Sequence, residues 1–228
     1  MSYIFIKIIA LISMFIDHSG YILFPTNIYF RIIGRLAFPL FCFLIVNGYH
    51  HTSNKFKYLR NLFIFAFISE FFFDLGFFKV PDFNYQNVFF TLSLGLLTII
   101  IYDYIKSMID SNLLKFISTF IIVLFFALLS ILIKSDYSWF GVLLIFFLNL
   151  FYGTSIHNRI LMALSLIILN IIYLFVENTW IELFSCFDII FIFLFKNKFI
   201  RIPKFWKYFM YIFYPLHIFI LYIVHIFF

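Results

Sequence analysis

Apolar runs, each close to the length that crosses a bilayer and each ended by a short polar loop, repeat along the whole of this 228-residue chain. A hydrocarbon core of about 30 Å takes about 20 helical residues. Spans are expected near 4–24, 29–48, 58–77, 88–105, 113–133, 138–153, 159–176, 180–195 and 206–227. The sixth and eighth are short, so eight spans with one re-entrant segment is the alternative. The chain is 65% hydrophobic and only 11% charged, with a mean hydropathy of +1.11, which a water-soluble globule of this size does not reach. The predicted fold is an all-α polytopic transmembrane helical bundle of about nine spans, a single integral-membrane domain over 1–228 in the cell membrane, with lipid as its first partner. The first run carries Lys7, Asp17 and His18 and has no small-x-small cleavage site, so a span is expected there, not a cleavable signal peptide. Cys42 and Cys186 lie inside apolar runs and imply no structural disulfide.

The net charge of +6 is not a nucleic-acid signal, because most cations sit in short loops. Lys55, Lys57 and Arg60 follow the second span, Lys106 and Lys115 border the loop after the fourth, and Arg159 follows the sixth. Lys196, Lys198, Arg201, Lys204 and Lys207 follow the eighth. The opposite loops hold little beyond Arg31, Lys79 and Lys134. The positive-inside rule then predicts a cytoplasmic N-terminus and an outer C-terminus.

Within the spans, ionisable residues mark function, since hydrocarbon excludes charge. At a rise of 1.5 Å per residue, His18 lies about 21 Å, Glu70 about 18 Å and His217 about 16 Å from the cytoplasmic ends of their helices. Asp188 and Arg35 fall about 12 Å and about 9 Å below the outer surface. These groups share one layer from the midplane to the outer half, a polar chamber onto which five helices converge. Asp17 points about 100° away from His18 on the same helix, so the partner that orients the His18 ring belongs to another helix. Arg31 and Arg35 share a face, as do Glu70 and Asp74. Snorkelling to headgroups is the simpler role for Arg31. Arg35 is expected to face the chamber and to pair with Glu70, Asp74 or a bound anion, ahead of a Pro39 that loosens its helix. His50, His51 and His157 flank cytoplasmic loops and are expected to be solvated, and no His or Cys spacing suggests a metal site.

The segments KIIALISMFIDH, RIIGRLAFPLFCFLIVNGY, HTSNKFKYLRNLFIFAFISEFFFDL, QNVFFTLSLGLL and YFMYIFYPLHIFIL, in that order, resemble the TraX family, membrane proteins linked to N-terminal acetylation of conjugative pilin. The middle of the chain is matched mainly by DYSWFGVLLI. TraX proteins in turn look like distant relatives of the type 3 membrane acyltransferases, whose first helix carries a basic residue, ten intervening residues and a His. Lys7 and His18 have that spacing, with Lys in place of the usual Arg.

The resemblance implies an acetyl-CoA-dependent acyltransferase that moves an acetyl group to an amine or hydroxyl of an exported, pilin-like peptide or a surface glycan. His18 would then be the general base; without the resemblance, a helix-bridging histidine is an equal reading. Glu70 could orient the His18 ring as the acid of a triad does, or pair with Arg35. Asp74 could hold a cationic acceptor. Lys7 and the basic loops would meet the anionic end of acetyl-CoA. Arg35, Asn47, Thr91 and Ser93 are candidate donors to the oxyanion. Asp17, Arg31, Asp188 and His217 complete the candidate binding set, although for His217 a helix-to-helix hydrogen bond is the simpler role. The rival readings are a proton-coupled transporter, in which the same acids and histidines form a relay, and a non-enzymatic membrane assembly protein.

Overall fold

A computed structural model describes residues 3–82, 84–195 and 204–227. Its helices are α1 (Tyr3–Ile22), α2 (Ile28–Gly34), α3 (Ala37–His51), α4 (Lys55–Phe77), α5 (Val88–Met108), α6 (Asn112–Leu132), α7 (Ser138–Leu150) and α8 (Ile156–Glu177). A 3-10 segment (Ile181–Phe187), α9 (Asp188–Leu194) and α10 (Lys204–Phe227) follow. Among the described residues, seven helices are long and apolar enough to cross a membrane, with α2 and α3 together forming one of them. Lys196, Lys198 and Arg201, the centre of the strongest expected orientation signal, lie outside the described residues.

Two of the expected spans are shorter than a bilayer. Helix α7 has 13 residues, yet Phe140, Val142, Leu144 and Ile145 are completely buried, because the helix is packed among α3, α5, α6 and α8. The run Ile181–Leu194 lies along α8. Ser185 Oγ donates to Asn170 Oδ1 midway, and Arg159, near the start of α8, donates to the carbonyls of Phe193 and Phe195. The chain therefore returns from the Glu177 end of α8 to its Arg159 end in 14 residues. Seven residues at about 2.0 Å and seven at about 1.5 Å reach about 25 Å, where an α-helix would reach about 21 Å. The 3-10 form is thus what lets so short a segment make the return.

The expected second span is interrupted at Arg35 and Leu36, with α3 beginning at Ala37. Pro39 accounts for the position, since it has no N–H to give the carbonyl of Arg35 and its ring would press on that carbonyl. The last turn of α2 tightens instead, the Leu36 N–H donating to Ile33 O. Two-thirds of the hydrophobic window of α5 is buried and about a fifth of that of α6, so α5 lies inside and α6 on the rim. Phe116, Phe120, Leu124, Phe125, Leu128 and Leu132 of α6 are exposed, a continuous apolar face of the kind lipid covers.

Candidate functional site

The Ile22 end of α1, α2 and the 3-10 segment meet on four charges. Asp17 accepts from Arg35 Nη2 at 2.8 and 2.9 Å on its two oxygens and from Arg31 Nη1 at 2.7 Å. Arg35 Nη1 donates to Glu182 Oε2 at 3.0 Å, and its Nε donates to the Arg31 carbonyl. The approach is close because of Gly34, where a Cβ would overlap the Asp17 carboxylate. The side chains of Asp17, Arg35 and Glu182 are 10%, 11% and 3% exposed. Charges so deep persist only when mutually compensated. Arg35 thus faces the bundle as expected, but its partners are Asp17 and Glu182, not Glu70 or Asp74. Arg31 is more than a snorkelling cation, since its guanidinium is bound to Asp17.

His18 follows Asp17 in sequence but points elsewhere. Its Nδ1 lies 2.7 Å from His217 Nε2, 199 residues away, and the rings are parallel within 7°. His217 Nδ1 lies 2.6 Å from the Phe213 carbonyl, which can only accept. For two neutral imidazoles the protons follow in order. His217 carries its proton on Nδ1, its Nε2 accepts, and His18 must donate from Nδ1. His18 Nε2 is left with a lone pair and no hydrogen bond among the described residues. Phe77 and Tyr214 present their edges to the ring at 5.2 and 5.8 Å. The arrangement is an imidazole whose tautomer is set by a second histidine.

Glu70 does not meet His18. Its Oε2 accepts from both the backbone N–H and the side-chain amide of Asn87, the N-cap of α5. The α4–α5 connection brings Asn87 back over α4, where its amide also donates to the Ala66 carbonyl, and that geometry captures the carboxylate. The expected triad role of Glu70 is replaced by an anchor for α5, and its expected pairing with Arg35 is absent. Asp74 is buried, its Oδ2 accepting from the Asp82 N–H, so it closes the loop after α4. Thr91 Oγ1 donates to the Asp136 carbonyl and lies 2.8 Å from Ser135 Oγ. Asp188 is completely buried, within the electrostatic reach of Glu182 and Cys42, and neither of its oxygens has a hydrogen-bond partner among the described residues. Cys42 is buried and free.

Asn47 and Lys7 lie at the opposite end. Asn47 accepts from Tyr152 at 2.6 Å and bonds Tyr3, so it is not beside His18. His50, expected to be solvated, lies 2.9 Å from Asn149 Oδ1 and stacks on Tyr152 at 4.1 Å. The Lys7 ammonium sits over the Tyr3 ring at 4.4 Å. An open recess of about 390 Å³ is lined by Asn54, Phe56, Lys57 and Arg60. Among the described residues, no group of three or more His, Cys, Asp or Glu is placed to hold a metal.

The model of the TraX protein family matches residues 2–225. The chain belongs to the TraX family. It is 36% identical over 112 residues to the probable fimbrial assembly protein FimC, serogroup H1, of Dichelobacter nodosus, a match covering 42% of this chain and 44% of that one. It is 53% identical over 38 residues to an uncharacterized protein of Rickettsia prowazekii (strain Madrid E), covering 17% of this chain and 15% of that one. The matches span less than half the length of either relative, and no solved structure matches.

In this TraX-family chain, reasoning from sequence missed Glu182, Asn87 and Asp136. Asn87 was legible as an N-cap before an apolar run. Glu182, between a Trp and apolar residues in WIELF, stands as an acid in an apolar run, which is itself a signal. Asp136 lay inside the family-like piece DYSWFGVLLI. It is exposed, yet the protein packed beneath its loop pushes its carboxyl up to about 6, with Arg35 pulling the other way.

Proposed function

We propose that this chain is a membrane acetyltransferase in which His18 Nε2 takes the proton from an acceptor amine or hydroxyl as it attacks the thioester of acetyl-CoA. The supporting observation is the ordered chain Phe213 carbonyl, His217, His18, which leaves one basic nitrogen of fixed tautomer among aromatic edges. Membership of TraX, a family associated with pilin acetylation, supports the reaction class. The name of the FimC relative supports a fibre subunit as acceptor. The acceptor oxygen or nitrogen bonds the acetyl carbon, the C–S bond breaks, and the CoA thiolate recovers the proton held by His18. Arg35 is tied to two carboxylates, so its part is to hold α1, α2 and the 3-10 segment together around the site.

Acetyl-CoA enters this reading from the side of Tyr3 and Lys55. Along α4, Arg60 lies about 25 Å from Phe77, which touches His18, farther than an extended pantetheine arm covers in about half a bilayer. Lys7 lies about 16 Å from His18 along α1, so it is the better-placed cation for the donor's phosphates. The decisive variant is His18→Ala, expected to keep acetyl-CoA binding and to lower transfer by about 10²–10⁴-fold. Transfer at the wild-type rate, or wild-type protein that neither binds nor turns over acetyl-CoA, sinks the reading. The second outcome would favour a proton-coupled transporter, for which the unpaired buried carboxylate of Asp188 is the supporting observation.

A further inference from the structure

Of the four side chains expected from sequence to donate to an oxyanion, three are committed elsewhere. Arg35 is bound to Asp17 and Glu182, Asn47 accepts from Tyr152 at the other end of the bundle, and Thr91 donates to the Asp136 carbonyl. Acyl transfer draws much of its acceleration from hydrogen-bond donors fixed where the oxyanion forms. The structure offers such a donor beside His18 that carries no mark in the sequence.

Tyr214 lies on α10, three residues before His217. Its ring meets both imidazoles edge-on, centroids 5.8 Å from His18 and 5.9 Å from His217, inclined at 71° and 69°. Phe89 crosses the same ring at 5.1 Å and helps to fix it. The residue is 3% exposed, and its hydroxyl has no hydrogen-bond partner among the described residues. Buried phenols normally find a partner, and the exceptions include groups with a catalytic role. Glu70, the carboxylate within reach, is bonded to Asn87 and does not take the phenol proton. On the other side, the N–H of Val88, first residue of α5, faces the phenol oxygen without closing a hydrogen bond to it. The first N–H groups of a helix have no partner within it, and the Asn87 cap serves Phe89. An O–H and an N–H thus converge at the positive end of a 21-residue helix, next to the histidine whose Nε2 is unbonded.

We propose that the Tyr214 hydroxyl, with the Val88 N–H beside it, receives the thioester oxygen of the acetyl donor and holds the oxyanion formed on attack; this rests on the acetyltransferase reading. As the acceptor atom bonds the acetyl carbon, the carbonyl pair moves onto oxygen, where the two donors meet it. The pair returns to re-form the carbonyl as the C–S bond breaks and the thiolate leaves. The phenol keeps its proton throughout.

The test uses the full chain in lipid nanodiscs and two measurements. Tyr214→Phe removes the O–H and keeps the ring, and is expected to lower kcat for transfer by about 10²–10³-fold. Acetyl-CoA affinity should stay unchanged, because the donor acts in the transition state. The second measurement needs no turnover. It is the infrared carbonyl stretch of ¹³C-labelled S-acetonyl-CoA, a ketone in place of the thioester that cannot be transferred. The band should move to lower wavenumber on binding to wild-type protein and to His18→Ala, and lose that shift in Tyr214→Phe. An unshifted band in wild-type protein, a shift retained in Tyr214→Phe, or a wild-type kcat in that variant overturns the proposal and leaves His18-dependent transfer standing. Equal losses of transfer and of acetyl-CoA affinity also overturn it, since they mark Tyr214 as structural. Transfer that persists in His18→Ala is instead the failure of the acetyltransferase reading.

Discussion

Replacing His217 by Ala isolates the hydrogen bond that sets the His18 tautomer. The variant removes the acceptor 2.7 Å from His18 Nδ1 and leaves a buried N–H unpaired, a cost of about 1–3 kcal/mol. The imidazole can escape that cost by moving its proton to Nε2, which is the nitrogen that must act as base. At 1.36 kcal/mol per decade, the loss of transfer should be about 5- to 150-fold, smaller than for His18→Ala. His217→Gln, whose side-chain oxygen can accept from Nδ1–H, should recover part of it. The double variant should be no slower than His18→Ala alone, because a residue acting through another has no effect once that other is gone. The assay is transfer from labelled acetyl-CoA, paired with imidazole ¹⁵N chemical shifts, which report the tautomer whether or not the protein turns over. An unchanged rate and tautomer in His217→Ala, or losses that add in the double variant, would refute the reasoning.

Arg35→Met leaves Asp17 and Glu182 buried with one guanidinium between them and should destabilise the protein by about 3–5 kcal/mol, visible as a lower unfolding midpoint in detergent; an unchanged midpoint would mean the network contributes little. Gly34→Ala should also lower the midpoint, since its Cβ overlaps the Asp17 carboxylate, and normal stability would show that α2 can move aside. For topology, a cysteine at Lys134 should react with an impermeant reagent applied to intact cells and one at Lys115 should not; the reverse pattern would turn the site toward the cytoplasm.

Helices and membrane residence were legible in the sequence because each follows from local quantities. Apolar length decides whether a segment can sit in lipid, and Pro39 marked a loosened place in the second long helix, which the structure shows as a break at Arg35 and Leu36. The angle per residue put Asp17 and His18 on different faces of α1 and required a His18 partner from another helix, as found. Depth is one coordinate, however, and pairing needs the other two. Glu70, His217 and Asp188 were all placed in the His18 layer, and nothing along the chain ranks them. Only the packing of α10 beside α1 and α4 brings His217 to His18, while the return of the α4–α5 connection gives Glu70 to Asn87. Asp136 was invisible for a related reason. The conformation of its loop is strained locally and held from outside, by Gln86, Thr91 and Phe38, and a sequence states local preference without the distant contacts that override it.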